Sequence, residues 1–148
     1  MTLYYFDSSL ILSILFNETR AEEALNIWRN CPIRVSSVLL KFETNISIRR
    51  RYKSQKNKIS DDWLENKLAG LNKFLKDVFF TAIDENLENS ISGYYEELSE
   101  CKSLDAIHLA AALKISAKYN RNQIRICSFD NNMRDLALRL GFEINDSM

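Results

Sequence analysis

Short apolar runs alternate along this chain with longer stretches in which apolar residues recur every three or four positions. The runs LYYF (3–6), IRVS (33–36), VFFTAI (78–83), IRICSF (124–129) and FEI (142–144) have the length of strands and are rich in β-branched and aromatic residues. The stretches 8–16, 19–30, 37–53, 61–77, 85–100, 103–119 and 131–140 carry helical spacing. Ser103 is placed to cap the start of one helix and Gly141 the end of another. Strands separated by helices require crossover connections. The pattern therefore predicts a short, mainly parallel five-stranded sheet between two helical layers, a three-layer α/β/α sandwich. One proline, three glycines and no repeat or low-complexity tract leave nothing that marks a linker. A single domain over residues 1–148 is expected.

A composition that is 46% hydrophobic and 27% charged is that of a soluble globule. No apolar run approaches the roughly 18–20 residues a membrane span needs. The opening MTLYYFDSSLILSILF lacks a basic flank and is interrupted by Asp7, so no signal peptide is expected and cytoplasmic residence is the default. Cys31, Cys101 and Cys127 are odd in number, widely spaced and form no Cys-x-x-Cys pair, which argues against a disulfide framework or a zinc site. Zero net charge predicts no general affinity for nucleic acid. Locally the picture differs, because Arg49, Arg50, Arg51, Lys53, Lys56 and Lys58 follow one another with no acid between them. Such a segment either contacts phosphates or is a solvated helix end.

Four acids carry the candidate chemistry. Asp7 ends the first strand, Asp130 follows the fourth, and Asp105 opens the helix that returns the chain to that fourth strand. A crossover helix runs antiparallel to its strands, so all three acids come to the strands' carboxyl edges, where open parallel sheets bind ligands. Glu43 shares the turns of its helix with Leu39, Phe42 and Ile46, which places it at or beside an apolar stripe, half-buried and in need of a partner. Singly, Asp7 and Asp130 read as helix caps and Asp105 as a residue suited to the positive end of its helix. Together the four carboxylates repel one another, and no lysine or arginine in these segments is aimed at them. Either some are protonated or a divalent cation lies among them. Ligation by oxygen alone suits Mg²⁺ or Mn²⁺ rather than zinc.

The blocks YYFDSSLILSILF, SSVLLKFETN, SLDAIHLAAAL and CSFDNNMRDLALRLGF have an order and spacing that resembles the PIN-domain ribonucleases, most closely the VapC toxins of type II toxin–antitoxin systems. The resemblance implies that Asp7, Glu43, Asp105 and Asp130 are catalytic and metal-binding, with Ser9 and Ser128 as supporting polar residues. It further implies Mg²⁺- or Mn²⁺-dependent hydrolysis of RNA phosphodiester bonds, an antitoxin protein as partner and, on family grounds, a homodimer. Arg49, Arg50, Arg51 and Lys53 are candidate RNA contacts. The alternative is a catalytically silent PIN-like module that acts by binding a partner or RNA. Residues 53–98 match nothing in the family pattern, and Asn131 and Asn132 stand where a further acid could follow Asp130. Asp135, one turn on, reads as solvated. His108, the one histidine, reads as packing or helix support ahead of proton transfer, and Trp28, Trp63, Tyr94 and Tyr95 as core or interface ahead of base stacking. A phospho-accepting Asp7 fits poorly: a receiver domain needs a lysine after a late strand, yet the last one is Lys118, and a haloacid-dehalogenase-like phosphatase needs an acid where Ser9 stands.

Overall fold

The computed structural model describes residues 1–145. Strands β1 (Leu3–Phe6), β2 (Ile33–Ser37), β3 (Phe79–Thr81), β4 (Ile124–Cys127) and β5 (Glu143–Ile144) form one sheet in the order β3-β2-β1-β4-β5. Every pairing is parallel. Helices α1 (Ser8–Leu15), α2 (Ala21–Arg29), α3 (Leu39–Ser54) and α4 (Asp61–Leu75) pack on one face of the sheet. On the other lie α5 (Glu85–Ile91), α6 (Tyr95–Leu98), α7 (Ser103–Ile115) and α8 (Asn131–Arg139). This is the expected three-layer sandwich.

Side-chain alternation along the strands builds both cores. Leu3 and Tyr5 of β1, with Ile124 and Ile126 of β4, pack against α7 and α8, while Phe6 and Cys127 turn to the α1 side. Large side chains buried outright, such as Tyr5, Phe6, Ile11 and Leu109, each contribute about 1.5–3 kcal/mol of transfer free energy. Helix α7 is buried from His108 through Leu113, as its run of Ala and Leu requires of a central core helix.

The chain builds β1, β2 and β3 outward in one direction, then returns to add β4 and β5 on the other side of β1. The reversal lies between β1 and β4. At such a point the loops leaving the carboxyl ends of adjacent strands diverge and leave a crevice.

Several elements differ from the pattern-based expectation. The helix expected over 85–100 is two short ones, α5 and α6, because Gly93 between them adopts φ +120°, outside any helix. Ser103 is the first helical residue, and Lys102 occupies the cap without a side-chain hydrogen bond. Gly141 does end α8: at φ +93° its N–H reaches the Leu138 carbonyl. The strand expected over 124–129 stops at Cys127, which frees Ser128 and Phe129 to leave the sheet. On α3 the apolar stripe is not Leu39, Phe42 and Ile46, since Phe42 is 60% and Ile46 51% exposed. The buried line is Leu40, Thr44 and Ile48, spaced by four, and Thr44 is tolerated there because its hydroxyl donates to the Leu40 carbonyl at 2.7 Å.

Candidate active site

Asp7 leaves β1 in an extended conformation and caps α1, accepting the Ser9 N–H at 3.0 Å. It is only 5% exposed, so its carboxylate needs donors, and it has them on both oxygens. The Ser9 hydroxyl donates to Oδ1 and the Ser128 hydroxyl to Oδ2, each at 2.5 Å. Each serine oxygen in turn accepts a backbone N–H from the β4–α8 connection, Ser9 from Phe129 at 3.1 Å and Ser128 from Asp130 at 3.0 Å. The two serines thus tie the end of β1 to the end of β4. Burial pushes the Asp7 carboxyl above the ordinary range, and the Ser128 and Ser9 hydroxyls oppose that rise.

Asp130 caps α8, its Oδ1 accepting the Met133 N–H at 2.8 Å. Asp105 sits half-buried in the first turn of α7. Burial raises its carboxyl, and the negative charges of Asp130, Asp7 and Glu43 raise it further, while His108 relieves it. Asp130, Asp7 and Glu43 are therefore each close enough to act on Asp105. Asp7 and Asp130 directly follow β1 and β4, and Asp105 and Glu43 reach the same region from α7 and α3.

Glu43 lies in the second turn of α3 with its side chain 16% exposed, and its Oε1 is paired with His108 Nε2. His108 is wholly buried, and its Nδ1 meets the Tyr5 hydroxyl at 2.8 Å with the two rings edge to face. Burial raises the Tyr5 hydroxyl as well. Sequence reasoning missed this partner of Glu43. The available signal was spacing: His108 is one helical turn beyond Asp105, and Tyr5 is two residues before Asp7 and so on the same side of β1. Asn145 and Arg134 were also missed. Asn145 Oδ1 accepts the Ser128 N–H at 3.1 Å, and Arg134 donates to the Ser128 carbonyl at 3.2 Å, fixing the serine from behind.

Among the described residues no three His, Cys, Asp or Glu side chains already surround a common point as metal ligands. Both Asp7 oxygens, one of Asp130 and one of Glu43 are engaged by local partners. The donor chemistry still fits a hard divalent cation. The acids are all oxygen ligands and their charges reinforce one another at Asp105.

The candidate RNA contacts separate into two kinds. Arg49, Arg50 and Lys53 are exposed on the last turns of α3, Arg49 bonding Asn45 Oδ1 at 2.8 Å. Arg51 is instead engaged, its guanidinium 3.9 Å from the Phe16 ring centre and 3.9 Å from Glu18. Trp28 packs in the core between Phe6 and Phe74, Trp63 stacks on Phe16, and Tyr94 meets Arg121, which leaves Tyr95 the exposed member of the aromatic set. Asp135 is solvated, as expected. An apolar groove lies at the opposite edge of the sheet, lined by Leu3, Ile33, Phe79 and Tyr119, and holds none of the four acids.

The sequence profile of the PIN domain matches residues 4–138, a span that includes all four acids and both serines. The chain belongs to the PIN domain family. Among curated proteins it is similar to Ribonuclease VapC46 of Mycobacterium tuberculosis (strain ATCC 25618 / H37Rv), 26% identical over 144 residues that cover 97% of each chain. Ribonuclease VapC45 (strain CDC 1551 / Oshkosh) and Ribonuclease VapC49 (strain ATCC 25618 / H37Rv) of the same species are each 26% identical over 118 residues, 78% of each chain. No helix of this PIN domain, among the described residues, is long and apolar enough to cross a membrane.

Proposed function

We propose that this PIN domain is an endoribonuclease of the VapC type, dependent on Mg²⁺ or Mn²⁺ and acting as the toxin of a toxin–antitoxin pair. The observation that carries the reading is the mutual opposition of charge at Asp105, where burial, Asp130, Asp7 and Glu43 all disfavour the ionised carboxylate. Four acids gathered at a ligand-binding edge are costly unless a cation offsets them. Asp7, Glu43, Asp105 and Asp130 would hold it, with Ser9 and Ser128 keeping Asp7 in place. When bound, a divalent ion makes water nucleophilic near neutral pH and offsets the charge on phosphate oxygens.

The chain's own part is to position. Asp7 is locked at the end of β1, Asp130 and Asp105 are fixed at the starts of α8 and α7, and Glu43 is held on α3. Arg49, Arg50 and Lys53 would meet flanking phosphates as point charges beyond the acid rim. An antitoxin fits the same rim by supplying an Arg or Lys to the carboxylates, and exposed Phe42 and Ile46 beside Glu43 offer it apolar surface. One observation favours the silent-module reading: Glu43 already has a partner in His108.

RNA cleavage by the purified chain separates the two readings. Cleavage should stop with EDTA, return with Mg²⁺ or Mn²⁺, and disappear in Asp7→Asn. Cleavage indifferent to exhaustive chelation would refute the metal-dependent mechanism, and none under any metal condition would favour the silent module. Co-expression with the product of an adjacent small reading frame should give a complex without activity.

A further inference from the structure

The Tyr5–His108–Glu43 chain joins β1, α7 and α3 in one line of hydrogen bonds that ends on an acid of the candidate site. We propose that His108 is a positioning residue of that site: anchored by Tyr5, it fixes the Glu43 carboxylate beside Asp105 and thereby sets the affinity for the divalent cation. The inference rests on the metal-dependent reading above.

The donor inventory fixes one end of the chain. An ionised carboxylate can only accept. With Glu43 Oε1 facing Nε2, a hydrogen belongs on Nε2, and Nδ1 is engaged by the Tyr5 hydroxyl on the other side of the ring. Both ring nitrogens are held, so the imidazole meets Glu43 from a fixed orientation.

A glutamate on a helix facing like charges would otherwise rotate away into solvent. Asp105 feels the Glu43 charge, so the repulsion is present in the folded protein. His108, itself wholly buried, cannot move to follow a departing carboxylate. It also engages only Oε1, and among the described residues Oε2 has no hydrogen-bond donor. Partners of this kind, one step removed from a metal, typically change metal affinity 10–100-fold when removed.

The test compares His108→Gln, His108→Leu and Tyr5→Phe with the parent, without RNA. Mn²⁺ affinity is measured by calorimetry on the folded proteins, and stability is read separately by urea unfolding in EDTA. His108→Leu should weaken Mn²⁺ binding about 10–100-fold. His108→Gln, whose amide nitrogen can still donate toward Glu43, should recover most of it even if its stability is no better than that of His108→Leu. Tyr5→Phe should fall between, since the imidazole remains but loses its anchor at Nδ1. If His108→Leu does not fold, the glutamine and phenylalanine variants carry the comparison. A parent that binds Mn²⁺ and variants that bind it equally well would overturn the positioning role. A parent that binds no Mn²⁺ would overturn the metal reading itself.

Discussion

Replacing Ser128 with alanine strips Asp7 of the donor on Oδ2 and leaves the Asp130 N–H without its acceptor. A hydrogen bond to a charged group contributes about 1.5–3 kcal/mol, and a partly buried orphaned N–H costs about 1 kcal/mol. The two losses together come to roughly 2.5–4 kcal/mol, or about 5–16 °C in Tm for a chain of this length. More than a third of this destabilisation stems from the charge on Asp7. In an Asp7→Asn background, Ser128→Ala removes a neutral hydrogen bond in place of a charged one while the Asp130 N–H is orphaned as before, so the double-mutant cycle should show a coupling of about 1–1.5 kcal/mol. Acidity gives a second handle. Ser128 holds the raised Asp7 carboxyl down, so its removal moves that carboxyl further up. The stability gap between parent and variant is then complete above the variant's Asp7 pKa. It shrinks as pH falls between the two pKa values, and below the parent's value only the neutral loss remains. Urea unfolding of the four proteins in EDTA, from neutral to acid pH, measures both quantities. A coupling under about 0.5 kcal/mol, within the scatter of independent sites, together with a gap that does not change with pH, would show that the serine is ordinary packing.

Asp105→Asn should abolish most RNA cleavage yet leave the metal-free protein as stable as the parent or more so. The raised Asp105 carboxyl contributes stability only while protonated and loses it as pH rises through its folded pKa, so the advantage of asparagine should grow toward neutral pH. Melting curves in EDTA and in Mn²⁺ check this, and a destabilised but fully active variant would return Asp105 to a helix-end role worth roughly 0.3–1 kcal/mol. Neutralising Arg49, Arg50 and Lys53 to glutamine should flatten the log–log salt dependence of single-stranded RNA binding by about 0.7 for each phosphate no longer neutralised, and an unchanged slope would make them a solvated helix end. Gly93→Ala should cost about 1 kcal/mol in urea unfolding, because a Cβ there meets nothing within 4 Å and the penalty is purely that of φ +120°.

The strands and most helices were legible because both faces of a parallel sheet are covered, which forces apolar runs into every strand and helical spacing between them. The same reasoning carried Asp7, Asp105 and Asp130 to one edge, since element ends are placed by topology alone. Glu43 was harder. Its facing partner depends on how α3 is rotated, and the composition of α3 misleads: Phe42 and Ile46 point outward while Thr44 is buried. Periodicity cannot detect a threonine that satisfies its hydroxyl on its own helix. The break at Gly93 was hidden because one glycine within a helical pattern is usually tolerated. The hydrogen bonds that Ser9 and Ser128 make across the site span 120 and 121 positions, with no local trace.

That separation bears on how the protein is made. Asp7 is translated before the other three acids, but the hydroxyl that completes its hydrogen bonds emerges 121 residues later, after the strand that flanks it. At ~5–20 residues per second, the nascent chain carries Asp7 for on the order of 6–24 s before Ser128 exists. Closing a loop of that length is also slow, because its entropy must be lost before the contact rewards it. The acid rim is thus assembled only once β4 has been made, and a chain that breaks off before β4 is one in which the four acids have never met.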